Sequence, residues 1–279
     1  MKKILVAFDG SYYSESALQF AIGLARREEA QITGVFLEDV TAYHQFSPIF
    51  EAPDAVGLAE DVIRDLKNEV RENLSVTVNR FKKTCDQAGI PYLIEMEEGI
   101  PSLELLEETQ FADLCVVGSV TYFSNLSFAN ESRLLSDLLG KAHCPILVVP
   151  EQAEELKHVI LTYDGSASSV YAIKRYVQLF ARTHCQLPST LLTVVRHEGD
   201  KLPQEEALVD YLRLYCDTLQ QQTLVGKPSE QILYMAKTTP GSMVVMGGYG
   251  RNAFSQLLKS SVGKKVVNAR TVPVLVAHE

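Results

Sequence analysis

The sequence predicts an α/β protein made of two tandem copies of one domain, each with a five-stranded, mostly parallel sheet and helices on both faces. Three observations support this prediction: short apolar segments alternate with helical periodicity, four sequence blocks recur in the same order, and the apolar segments lack a polar face. Strands of a parallel sheet are buried on both faces, so they do not alternate between polar and apolar residues. Strands that alternate with helices through right-handed crossovers form a doubly wound sheet.

Sequence blocks repeat between the two halves of the 279-residue chain. The matched segments are 4–11 with 160–166, 99–102 with 226–229, 116–119 with 245–248, and 144–149 with 272–277. Four matches in the same order indicate a duplicated domain. The first copy is longer between its first and second blocks, so its additional residues lie between the first strand and Gly99. The repeat predicts domains over 1–150 and 158–279, joined by a polar linker over 151–157.

Each copy is expected to hold five strands with helices between them. The strands of the first copy are expected near 3–8, 31–37, 91–96, 112–118 and 145–149. The strands of the second copy are expected near 158–163, 190–196, 243–247 and 273–277, with a weaker one around 223–226. Residues 14–27 carry apolar side chains on one face at helical spacing, and the charged residues 60–88 predict a solvated helix. Pro101 and Pro228 suit the first turn of a helix, because the N–H group that proline lacks has no helical partner there.

Composition limits the functions that this chain can perform. The formal net charge is −9, which argues against nucleic acid and against an anionic membrane surface as partners, since both attract Lys and Arg. The first apolar segment is too short for a secretory signal, and no segment approaches the roughly 18 apolar residues of a spanning helix, so we expect a cytoplasmic protein. The five cysteines are widely spaced without a C-x-x-C pair, and we expect no metal site.

A ligand site is expected beyond the carboxyl ends of the strands in the second copy, where open parallel sheets bind ligands. Asp164 ends the first strand and can accept hydrogen bonds from a ribose or an adenine edge. Val194 lies near the end of the second strand, where it can contact an adenine. Residues 247–251 follow the fourth strand, and residues 260–263 are expected to open a helix whose N-terminal N–H groups attract phosphates. Each feature has a simpler interpretation as well, because glycine clusters often form turns and Asp-Gly-Ser often caps a helix.

Taken together, the V-x-x-D-G-S opening, the G-x-P-S block, the G-x-x-G-x(9)-G-S-V/T block and the terminal P-V-L-V strand resemble the universal stress protein family, once in each copy. The resemblance implies a Rossmann-like fold of the adenine nucleotide alpha hydrolase type and, in one branch of the family, ATP held by the glycine block, with Mg²⁺ as an optional companion. Carried over by position, the resemblance assigns nucleotide contacts to Thr162, Asp164, Val194, Gly247, Gly250, Arg251, Ser260, Ser261 and Val262. The family's second phosphate-loop glycine is Ser260 here, which would cost about 1–2 kcal/mol if that position needs a positive φ.

The first copy departs further from this pattern. Its equivalent positions are Asp9, Val35, Gly118, Ser132 and Arg133. The next glycine position holds Thr121, and residues 122–131 contain no glycine, so we expect that this copy has lost ATP. Aromatic residues within 43–50, together with Phe123 and Phe128, are expected over the corresponding site of the first copy, beyond the carboxyl ends of its strands. This site is called the mouth of the first half below. These aromatic residues form either a lid packed on the protein or the lining of an apolar ligand pocket.

The last strand of each copy, 146–149 and 274–276, would present a long apolar edge, and such edges must be covered. The resemblance implies that these strands pair between protomers. In a tandem chain the two copies can pair with each other, so we expect an internal pseudo-dimer, with a homodimer of the whole chain as a further option.

The function expected from these observations is a stress-response protein that binds ATP or a related adenine nucleotide in its second copy. A regulatory or protective role is favoured over efficient catalysis, because phosphoryl transfer needs a metal-holding carboxylate and a positioned base that the sequence does not place near the γ-phosphate. Two alternatives stay open. One is an interaction protein in which neither copy binds nucleotide, and the other is a slow ATPase.

Overall fold

The computed structural model of the protein describes residues 1–9, 13–40, 56–120, 133–180, 187–248 and 256–278. The strands of the first half are β1 (Lys3–Asp9), β2 (Gln31–Asp39), β3 (Tyr92–Gly99), β4 (Leu114–Gly118) and β5 (Ile146–Val149). The strands of the second half are β6 (His158–Tyr163), β7 (Ser189–Val195), β8 (Leu219–Val225), β9 (Ser242–Gly247) and β10 (Val274–Ala277). Strand β8 starts several residues before the weak strand that the sequence suggested around 223–226. Its polar residues lie at a half-exposed edge of the sheet, and for that reason the apolar pattern did not reveal them as a strand.

The described helices lie between the strands of each half. Those of the first half are α1 (Glu15–Glu28), α2 (Val56–Ala88), α3 (Pro101–Glu108) and α4 (Arg133–Lys141). Those of the second half are α5 (Ala167–Phe180), α6 (Glu205–Arg213), α7 (Pro228–Thr238) and α8 (Gln256–Asn268). Pro101 and Pro228 stand in the first turn of α3 and α7, as predicted. None of the described helices combines the length and the apolar character needed to cross a membrane.

The described strands form one ten-stranded sheet in the order β3-β2-β1-β4-β5-β10-β9-β6-β7-β8. Within each half the neighbouring strands run parallel. Helices α1, α2, α5 and α6 cover one face with an apolar layer, and α3, α4, α7 and α8 cover the other face. The predicted fold class, two Rossmann-like α/β units with helices on both faces, is therefore confirmed.

The two halves meet through their last strands. Strand β10 pairs antiparallel with β5, with Leu275 opposite Leu147, so the predicted pairing of the two terminal strands is present. The antiparallel pairing brings the end of β5 and the start of β6 to the same end of the sheet. Three strand spacings of roughly 4.8 Å separate β5 from β6, and residues 151–157 can span about 23 Å when extended. A short connection is therefore sufficient.

The halves differ most in the connection that follows their second strand. Residues 40–91 connect β2 to β3 and include the long helix α2, whereas residues 196–218 make the equivalent connection with the short helix α6. The additional residues of the first half thus lie between β2 and β3. Residues 43–50, Phe123 and Phe128, which the sequence placed over the mouth of the first half, lie outside the described residues.

Candidate functional site

The candidate site of the second half is the crevice between the ends of β6 and β9, which are hydrogen-bonded neighbours. From β6 the chain continues to β7 and β8 on one side, and from β9 it continues to β10 on the other side. This reversal is a topological switch point, where doubly wound sheets bind ligands. Leu161 lies opposite Val245, so Tyr163 and Gly247 end the two strands at the same level. Asp164 therefore leaves β6 beside the glycine pair Gly247–Gly248 at the end of β9.

Asp164 combines two roles that the sequence could not separate. Its side chain is exposed at the end of the strand, and its Oδ1 accepts a hydrogen bond from the Ser166 backbone N–H at 3.0 Å. Gly165 between them has a φ of +79°, a conformation that favours glycine. The Ser166 hydroxyl in turn accepts a hydrogen bond from the Ser169 N–H at 3.2 Å and so caps α5. The Asp-Gly-Ser turn thus starts a helix and also presents a carboxylate at the crevice.

Thr162 is tied into the sheet. Its buried hydroxyl donates a hydrogen bond to the Val245 carbonyl oxygen at 2.9 Å. This bond joins β6 to β9 next to the switch point. The hydroxyl is therefore engaged with the protein's own backbone.

Val194 lies near the end of β7, partly buried on the sheet face that α7 and α8 cover. The strand registers define its counterpart in the first half. Phe8 pairs with Phe36, and Tyr163 pairs with Thr193, so the residue after each pair is Leu37 in the first half and Val194 in the second. This corrects the sequence-based equivalence of Val35, which lies two residues earlier and is fully buried. Strand β2 is longer than β7, and a sequence match cannot reveal that difference in register.

The glycine pair at the end of β9 is packed against the protein itself. A Cβ at Gly247 would lie 2.8 Å from the Ser168 carbonyl carbon, and a Cβ at Gly248 would lie 2.9 Å from the His278 Cβ. The Ser168 hydroxyl donates to the Gly248 carbonyl oxygen at 2.9 Å, and the Gly248 N–H donates to the Ala277 carbonyl oxygen at 2.7 Å. The first turn of α5, the end of β9 and the end of β10 therefore meet here. Sequence reasoning missed Ser168 and His278, because nothing local marks them as neighbours of the glycines.

Helix α8 begins earlier than the sequence predicted. It starts at Gln256, so Ser260 and Ser261 lie in its second turn rather than at its opening. Only the first four N–H groups of a helix lack a helical partner, so those of Ser260 and Ser261 are not among them. The strain predicted for Ser260 does not arise, because a helical residue has a negative φ. Val262 packs, partly buried, against the sheet face beneath α7 and α8.

Several predicted site residues cannot be placed by their side chains. Gly250, Arg251 and Ser132 lie outside the described residues. Asp9 ends β1 and Arg133 begins α4, and for both of them the structure describes the backbone. The structure therefore brings together Asp164, the strand ends and the glycine pair.

The first half arranges its strand ends in the same way but fills the adjacent turn differently. Gly118 ends β4 beside β1, as Gly247 ends β9 beside β6. Residues 10–14 separate β1 from α1, whereas residues 164–166 suffice between β6 and α5. Within this longer turn, the Tyr13 ring stacks on Phe8 with 5.0 Å between the ring centroids.

Arg80 of α2 also lies over the ring of this tyrosine. Its guanidinium carbon lies 4.3 Å from the Tyr13 ring centroid, and its Nη2 donates to Glu15 Oε2 at 2.8 Å. Burial raises the pKa of the Tyr13 phenol to about 12. The stack joins residues that are far apart in the chain, and the only sequence signal for it is the longer turn before α1.

Comparisons with known proteins agree on one family. The model of the universal stress protein family matches residues 1–150 and residues 155–278. A universal stress protein of Synechocystis sp. is 23% identical over 290 residues, which cover 99% of each chain. A universal stress protein of Methanocaldococcus jannaschii is 33% identical over 156 residues, which cover 55% of this chain and 85% of the relative. The crystal structure of a universal stress protein from Archaeoglobus fulgidus shares the fold with a TM-score of 0.69 at 15% identity, covering 99% of this chain and 98% of that chain.

Proposed function

The chain belongs to the universal stress protein family in both of its halves, and on that premise we propose that it is a stress-response protein that binds an adenine nucleotide in its second half. The observation that carries the proposal is the position of the exposed Asp164 carboxylate, at the switch point between β6 and β9. A carboxylate at such a point accepts hydrogen bonds from ribose hydroxyls or an adenine amino group. The proposed role is regulatory or protective.

The nucleoside end of the ligand would lie between Asp164 and Val194. Asp164 is exposed, and a carboxylate accepts hydrogen bonds at about four sites, one of which takes the Ser166 N–H. Val194 ends the neighbouring strand and is partly buried, which offers an apolar contact to a base. These two residues supply one polar and one apolar contact at adjacent strand ends.

The phosphate end would lie toward the start of α8. The first four N–H groups of a helix carry no helical partner and a partial positive charge, so they stabilise anions. In this protein α8 runs from Gln256 to Asn268, so Ser260 and Ser261 lie beyond its first turn. We propose that the amides of the first turn, rather than the two serine hydroxyls, contribute most to phosphate binding.

The first half is a poorer candidate for the same ligand. In its turn the Tyr13 ring and the Arg80 guanidinium form a stack, whereas at the equivalent turn of the second half, residues 164–166, Ser166 caps α5 directly. The first half thus uses this turn to hold α1 and α2 together. We propose that it has a structural role beside the nucleotide-binding half.

Titration calorimetry with ATP and Mg²⁺ tests the proposal on the full chain. In the Asp164→Asn variant, the amide oxygen still accepts the Ser166 N–H, so the turn is kept while the charge is lost. We expect ATP affinity to fall about tenfold to a hundredfold, since a hydrogen bond to a charged group contributes about 1.5–3 kcal/mol.

The duplicated chain offers a matched control. Asp9→Asn makes the same change at the end of β1, and we expect it to leave ATP affinity unchanged. Loss of binding in Asp9→Asn but not in Asp164→Asn would place the nucleotide in the first half. If the unaltered protein gives no heat and no thermal shift at about 5 mM ATP, the proposal fails and an interaction protein becomes the better description.

A further inference from the structure

A second concave site lies between α1 and the segment that joins the two halves. This α1–linker cleft is a cavity of about 230 Å³ between residues 16–27 of α1 and residues 153–156. Lys157 follows residues 153–156 in the chain and leads into the start of β6, whereas Asp164 follows the end of β6. The cleft is therefore at the opposite end of the second-half sheet from the crevice between β6 and β9. A ligand of the cleft would bind independently of a nucleotide in that crevice.

The cleft has an apolar floor and a charged rim. Leu24 and Leu156 are 2% and 8% exposed, and Phe20 packs partly buried against the same core. On the rim, Arg27 stands on the helix side, while Glu154 and Glu155 stand exposed on the opposite side.

These charges are available for a partner. Among the described residues, no ion pair engages Arg27, Glu154 or Glu155. A ligand that fits the rim would therefore place a positive group toward the linker and a negative group toward α1.

The backbone of the linker wall lies outside the hydrogen bonding of the sheet. Residues 153–156 make no backbone hydrogen bond with any residue that the structure describes. The next two residues differ, because the N–H groups of Lys157 and His158 both donate to the Gly241 carbonyl oxygen, at 2.8 and 3.2 Å. A short run of backbone N–H and C=O groups without such partners can pair with an extended peptide, as the edge of a sheet does.

Gly23 opens the helix wall of the cleft. It lies exposed in the middle of α1, and a Cβ built on it would meet no atom within 4 Å. Packing within the protein therefore does not require glycine here, although glycine in a helix interior costs about 1 kcal/mol relative to alanine. The missing side chain leaves room for another backbone to approach α1 closely.

We propose that the α1–linker cleft binds an extended peptide segment of a partner protein through one apolar anchor side chain. The anchor lies on Leu24 and Leu156, a basic residue of the partner faces Glu154 and Glu155, and an acidic residue faces Arg27. The cavity is smaller than the roughly 300–1,000 Å³ of pockets that enclose small-molecule ligands, which favours a single inserted side chain over a nucleotide-sized ligand.

Fluorescence polarisation with the full chain and a labelled peptide, Ser-Thr-Lys-Leu-Glu-Thr-Ser, tests this proposal. We expect sub-millimolar binding that falls at least about tenfold when the peptide leucine is replaced by serine, because the apolar anchor is lost. Gly23→Phe fills the cleft and should weaken binding to a similar extent. Gly140→Phe is the matched control, since Gly140 is also helical with no atom within 4 Å of a built Cβ, and it should leave binding unchanged.

A charge exchange tests the orientation of the peptide. The double variant E154K/E155K should bind the original peptide more weakly and should recover binding when the peptide lysine is replaced by glutamate. The proposal is overturned if the peptide does not bind at about 1 mM, or if binding survives Gly23→Phe or the loss of the peptide leucine. Circular dichroism of each variant ensures that a loss of binding reflects the cleft rather than unfolding.

Discussion

Replacing Gly247 by alanine tests whether this glycine serves packing. The added Cβ would lie 2.8 Å from the carbonyl carbon and 2.9 Å from the carbonyl oxygen of Ser168, so a backbone segment at the start of α5 must move. Overpacking of this kind costs about 1–3 kcal/mol. Movement of Ser168 also strains its 2.9 Å hydrogen bond to the Gly248 carbonyl oxygen, which contributes about 1 kcal/mol. We therefore expect the free energy of unfolding to fall by about 2–4 kcal/mol.

Urea unfolding monitored by circular dichroism measures this loss, with Gly23→Ala as the control. A Cβ at Gly23 would meet no atom within 4 Å, so alanine should stabilise α1 by about 0.5–1 kcal/mol through its higher helix propensity. The measurement is made without nucleotide, which separates packing from ligand binding. If Gly247→Ala unfolds at the same urea concentration as the unaltered protein, the packing argument is refuted and the glycine must be explained by a ligand.

Two further predictions concern the strands next to the crevice and the core of the first half. Thr162→Val removes the buried hydrogen bond to the Val245 carbonyl oxygen and should lower the free energy of unfolding by about 1–3 kcal/mol. Urea titration measures this loss, and an unchanged free energy of unfolding would show that the hydrogen bond does not stabilise the protein. Burial raises the pKa of the Cys85 thiol and of the Tyr13 phenol to about 12 each, so the folded protein keeps protons that the unfolded chain releases above pH 9 to 10. The free energy of unfolding should therefore fall as the pH rises from about 9 to about 12, and a fall that is no smaller in Tyr13→Phe would exclude the phenol as a contributor.

Local and repeated features of this protein could be predicted from the sequence. The two copies, their order of strands and helices, and the end of β6 just before Asp164 follow from apolar spacing and from matched blocks. Each of these depends on residues that are close together in the chain. The hydrophobic pattern and the matched blocks therefore contain this information.

The roles of individual site residues depended on the tertiary structure. The sequence attributed Gly247 to ligand approach, whereas the folded chain fills the space around it with Ser168. In the first half, Arg80 covers Tyr13 although long stretches of chain separate them. The counterpart of Val194 is Leu37 rather than Val35, because strand register is set by pairing between strands.

The difference between what the sequence determined and what the tertiary structure decided is the distance along the chain over which each interaction acts. Hydrophobic periodicity and capping residues act within a few residues of one another, so the sequence by itself determined the duplicated α/β architecture and the strand end that carries Asp164. The space around a Cα atom, the register of two strands and the first residue of a helix are decided by contacts between distant segments. Only the tertiary structure could therefore decide that the glycine pair is packed between α5 and β10, and that α8 begins at Gln256.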